Sequence, residues 1–63
     1  MEWGFEHEGL IKKAAAMLVN AEHDDDVKNR YYYEGRADGI LAALHELTGI
    51  SRDELGMMVQ DYM

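Results

Sequence analysis

Eight consecutive residues, Thr48-Gly49-Ile50-Ser51-Arg52-Asp53-Glu54-Leu55, carry the signals to end one helix and start another. Gly49, lacking a Cβ, suits the left-handed conformation that closes a helix at C′, and Ile50 behind it can fold back onto Leu44. Ser51 then has the oxygen of an N-cap, with Glu54 three residues on in the position that completes a capping box. Ile50 and Leu55 flank the cap at the spacing of a hydrophobic staple. The chain must turn here between two helices. The second of them is predicted from Arg52 to about Tyr62, with Leu55, Met58, Val59 and Tyr62 at i, i+3, i+4 and i+7.

Upstream of the turn, Tyr33, Ala37, Ile40, Leu41, Leu44 and Leu47 recur at helical period and predict a long middle helix over 25–48. At about 1.5 Å per residue it is roughly 36 Å long. Any of Asp24, Asp25 and Asp26 can cap its start and favour its positive dipole end. Leu10, Ile11, Ala14, Met17, Leu18 and Ala21 predict a first helix over about 5–22, with Glu6 and Glu8 in its opening turn. Between Glu22 and Arg30 the only apolar side chain is Val27, so the apolar stripe lapses. No glycine or proline lies between Leu10 and Glu34, which leaves one continuous helix as an alternative. Three successive aspartates favour a turn, because they oppose the dipole at the end of one helix and suit the start of the next. The expectation is one all-α domain, residues 1–63: a helical hairpin plus a short C-terminal helix.

A chain of 63 residues buries only about 60% of the surface its unfolded form exposes. Ordering costs about 1.5 kcal/mol per residue, so burial and entropy nearly cancel. With no cysteine, disulfides cannot tip the balance. Self-association can, and the three helices are expected to pack as a homo-oligomer, most simply a dimer. The longest apolar run is the six residues Ala14 to Val19, against the roughly 20 a bilayer span needs. No basic segment followed by an apolar core opens the sequence, so no secretory signal is expected. The expected location is cytoplasmic, with no membrane partner.

Composition removes several chemistries. Thirteen acidic residues against six basic ones give a net charge of -7. Phosphate contacts need clustered Lys and Arg, so direct nucleic-acid binding is not expected. Each histidine has an acidic neighbour (Glu6-His7-Glu8, Glu22-His23-Asp24, His45-Glu46), yet no two histidines stand four apart and no Glu-x-x-His occurs. Asp24-Asp25-Asp26 fails as a calcium loop, since Asn29 and Gly35 stand where such a loop needs glycine and glutamate. Ser51, the only serine, is committed to a cap, and Thr48, the only threonine, ends a helix. No enzyme activity, metal or cofactor is expected.

The residues that point outward are aromatic and small. Neighbours on a helix are about 100° apart, so Tyr31, Tyr32 and Tyr33 cannot all enter one core. If Tyr33 joins the face of Ile40 and Leu44, Tyr31 points away, and tyrosine is enriched in protein interfaces. Gly35 and Gly39 each cost about 1 kcal/mol against alanine inside a helix. Four apart, with Ala43 following, they suit the close approach of another helix, from the same chain or a second subunit. Arg36 and Asp38 between them exclude a membrane span. Trp3, Phe5, Tyr31, Tyr32, Gly35, Arg36, Gly39 and Ala43 are therefore the candidate contacts to a partner or a second copy.

The stretch Tyr32-Tyr33-Glu34-Gly35-Arg36-Ala37-Asp38-Gly39-Ile40, continued by Leu44, Leu47 and Gly49-Ile50-Ser51, resembles the small, acidic, helical accessory proteins encoded by phages and prophages. The resemblance covers about half the chain and carries over no functional residue. It implies a homo-oligomer that blocks a host protein, including those of defence systems. Two other functions stay open on the residues. Tyrosine rings with Arg30 and Arg36 could hold a small ligand or nucleotide at an oligomer cleft. The carboxylates Glu2, Glu6, Glu8, Glu22, Asp24, Asp25 and Asp26 could mimic a nucleic acid.

Overall fold

A computed structural model describes residues 3–63, and Glu2 lies outside them. Three helices follow one another, α1 (Phe5–His23), α2 (Val27–Thr48) and α3 (Arg52–Asp61). No strand occurs among the described residues. Three residues join α1 to α2, too few for anything but a reversal, so the two long helices form a hairpin and α3 packs against both.

The α1–α2 turn settles which aspartate caps. The Asp26 carboxylate accepts from the Lys28 amide at 2.9 Å, while Asp24 accepts from the Asp26 amide at 2.9 Å. The middle helix therefore starts at 27 rather than 25, because Asp26 is spent as its cap and Asp24 holds that cap in place. The continuous-helix alternative is eliminated.

At the second turn, Gly49 is left-handed at φ 75° and its amide donates to the His45 carbonyl at 2.9 Å. The Ser51 hydroxyl accepts from the Glu54 amide at 3.2 Å. Thr48 adds two bonds: its hydroxyl donates to the Leu44 carbonyl at 2.7 Å and accepts from the Ile50 amide at 3.2 Å. The later amide that a glycine-closed helix can send back to a carbonyl, here that of Ile50, is thus taken by a side chain.

Ile11, Ala14 and Ala15 from α1, Ala37 and Leu44 from α2, and Leu55 and Val59 from α3 form the buried core. Trp3, Leu10, Leu18, Ile40, Leu41 and Ile50 are among those that pack around it half-buried. The three alanines let α1 and α2 approach closely. Leu47, expected on the core face, is instead 56% exposed. It stands about 80° around the helix from Ala37, beyond the strip that α1 and α3 cover. The Arg52 guanidinium donates to the Asp38 carboxylate and fastens the first turn of α3 to α2.

Candidate functional site

Ala37 and Leu44 mark the inner line of α2, since both are buried. Lys28 and Glu46 each stand nine residues from Ala37, and nine steps of about 100° amount to half a turn beyond two full ones. They lie on the line facing directly away from the core. Around that line the structure places Tyr31, Tyr32, Gly35, Arg36, Gly39 and Ala43, all of them exposed. Six of the eight expected contact residues therefore share one face of one helix.

Tyr32 and Arg36 form the ordered centre of this face. The Arg36 guanidinium donates to the Tyr32 hydroxyl at 2.7 Å and lies 5.6 Å from the ring centroid. Tyr33, half-buried, meets the Tyr32 ring edge-on at 5.5 Å. Tyr32 is thus held between an aromatic edge and a cation, with 55% of its surface still exposed. Tyr31 points off at 70% exposure, with no side-chain hydrogen bond among the described residues. From Val27 to Arg36 the cations Lys28, Arg30 and Arg36 face one carboxylate, Glu34, so this end of α2 is basic in an acidic chain.

Among the described residues, no atom beyond their own helix lies within 4 Å of where a Cβ on Gly35 or Gly39 would stand. Close approach by α1 or α3 does not explain the two glycines. Of the two expected neighbours, a helix of the same chain is eliminated.

Trp3 and Phe5 lie elsewhere, at the amino end of α1. Trp3 is turned inward: its ring stacks on His7 at 5.1 Å and its indole N–H donates to Glu8. The same carboxylate accepts from the Tyr62 hydroxyl, and Lys12 lies 5.5 Å from the Tyr62 ring. The bonds from Tyr62, first, and Trp3, second, hold the Glu8 carboxyl below its usual range, and the bond to Glu8 pushes the Tyr62 hydroxyl up. Trp3 is therefore a fastening between the chain ends rather than a free contact. Phe5 is left 97% exposed beside it. His7 accepts from the Gly4 amide at 2.9 Å, and His45 bonds the Ile50 carbonyl at 2.8 Å, so both rings serve helix ends.

Sequence reasoning missed one further feature. Helix α3 spans 10 residues against 19 and 22 for its neighbours, so it covers only part of the groove between them. Beside it a hollow of about 380 Å³ stays open, lined by Leu18, Ala21, Leu41, Val59 and Met63 together with Arg30 and Glu34. Comparison with protein-family models, curated proteins and solved structures found no match to this chain.

Proposed function

We propose that this chain is a small homo-oligomeric interaction module that works by occupying the surface of a host protein, as a phage-type inhibitor or regulator does. The single observation that carries the reading is the exposed tyrosine–arginine face of α2. Tyrosine and arginine supply a disproportionate share of binding energy at protein interfaces. Tyr32 is already ordered by Arg36 and Tyr33, so less rotamer entropy is lost when it docks. Tyr31, without a side-chain hydrogen bond among the described residues and lining a small hollow with Val27, Arg30 and Glu34, is the contact offered to the host protein. No helix among the described residues is long and apolar enough to cross a membrane.

Sedimentation at micromolar concentration tests the oligomer: at least a dimer is expected, and a stable folded monomer overturns it. Affinity capture from bacterial lysate with wild type and Tyr31→Ala in parallel tests the partner. The expected result is a protein retained by wild type and lost from the variant. Equal retention, or none, overturns the host-binding part.

A further inference from the structure

We infer that the oligomer is an antiparallel pair of α2 helices meeting along a seam of six residues, Lys28, Tyr32, Gly35, Gly39, Ala42 and Glu46. This rests on the homo-oligomeric reading above and names the surface it uses. Along the outer side of α2 these residues, five of them exposed and Ala42 half-buried, are spaced four, three, four, three and four apart, the spacing of a coiled-coil seam. The order of steps is the same from either end, and its centre is Ala37. A second copy running the other way therefore falls into register. Lys28 meets the partner's Glu46, Tyr32 meets the partner's Ala42, and Gly35 meets the partner's Gly39.

Each of those pairs is complementary. Unlike charges face each other at both ends of the seam, and twofold symmetry makes the contact twice. A large ring faces a methyl group. At the centre, glycine faces glycine, where each Cβ position is open to 4 Å in the single chain. Small residues alone would not choose an occupant; the charges do. In a parallel pair Lys28 would face Lys28, Glu46 would face Glu46 and Tyr32 would face Tyr32, and like charges opposed across an interface select against that arrangement. Arg36 stands at the flank of the seam, turned back onto its own Tyr32.

A second observation points the same way. Helix α2 is capped by Asp26, but its first turn holds Lys28 and no acidic side chain, and its last turn holds Glu46 beside His45. Both charges run against the preference of an isolated helix, whose N-terminus favours acids and C-terminus favours bases. Neither has an ion-pair partner in its own chain among the described residues. In an antiparallel pair, Lys28 lies beside the negative end of the partner helix and Glu46 beside its positive end. The arrangement that local structure opposes is the one a second copy rewards.

Charge reversal tests the register, because local and interface effects have opposite signs. Lys28→Glu and Glu46→Lys each match the helix dipole better, so at concentrations where both proteins are dimeric each variant should be at least as helical by circular dichroism as wild type. Each alone should weaken the dimer by about tenfold or more in low-salt sedimentation equilibrium. The double variant, which restores unlike pairs with the signs exchanged, should dimerise like wild type. The chain has no cysteine, so a mixture of Lys28→Cys and Glu46→Cys chains gives an independent reading. Oxidation should yield mainly the mixed disulfide. Single reversals that leave dimerisation unchanged, a double variant as weak as the singles, or self-linked disulfides in place of mixed ones overturn the antiparallel seam. With wild type still dimeric, those results leave the homo-oligomeric reading standing; a monomeric wild type removes both.

Discussion

Tyr62 and Glu8, 54 residues apart in the chain, are joined by a hydrogen bond in which the tyrosine hydroxyl donates to the carboxylate. Trp3 donates to the same carboxylate. One ionised side chain thus gathers both ends of the protein, and it needs its charge to accept both bonds well.

Acid should therefore loosen the chain ends. The Glu8 carboxyl is held below its usual range in the fold, chiefly by Tyr62 and then by Trp3. A group with a lowered folded pKa contributes stability that is present above its unfolded value and lost as pH falls through the folded one. Thermal melts should lose stability as pH drops through and below the ordinary glutamate range. Tyr62→Phe should shrink that acid-dependent loss; an unchanged pH profile would show that the bond contributes nothing.

Removing the cap of α3 is expected to cost about 1 kcal/mol. Ser51→Ala leaves the Glu54 amide without the oxygen it now donates to at 3.2 Å. Chemical denaturation should report the loss, and a variant as stable as wild type would mean the cap is idle.

Two glycines should respond to alanine with opposite signs. Gly49 is left-handed at φ 75°, a conformation that costs a residue with a Cβ about 1–2 kcal/mol. Gly9 lies inside α1 with open space where a Cβ would stand, so alanine should stabilise it by up to about 1 kcal/mol. Gly49→Ala should melt lower than wild type and Gly9→Ala higher. The same direction in both would contradict the backbone assignment.

Leu44 and Leu47, three residues apart on α2, should differ sharply. Leu44 is fully buried, and truncation to alanine typically costs about 2–5 kcal/mol. In a domain this small that loss is enough to unfold much of the population. Leu47 is more than half exposed, so its alanine variant should stay within about 0.5 kcal/mol of wild type. Equal losses would mean Leu47 is covered by something other than its own chain.

The helices and both turns were legible because their signals are local. Asp26, Gly49 and Ser51 each act within a few residues of themselves. The inward course of Trp3 was not legible, because the sequence places nothing beside it that reveals the hold of Glu8. Its partnership with Tyr62 exists only after three helices have packed. Leu47 was misplaced for a different reason: period alone defines a stripe, while the width of the covered strip depends on where α1 and α3 come to rest. The face proposed for contact on α2 was legible in its tyrosines and glycines. Lys28 and Glu46 were overlooked because each is an ordinary surface charge until the other is counted five turns away.

The three-residue link between α1 and α2 has a consequence for how the protein comes into being. Most of the helix pairing closes only a short loop, and chains rich in such local pairings fold in microseconds to milliseconds. The hairpin alone still lacks Leu55 and Val59, which complete the core only when α3 docks. A chain whose hairpin forms first therefore passes through a stage with Ile11 and Leu44 partly uncovered, and the docking of α3 decides how long that stage lasts.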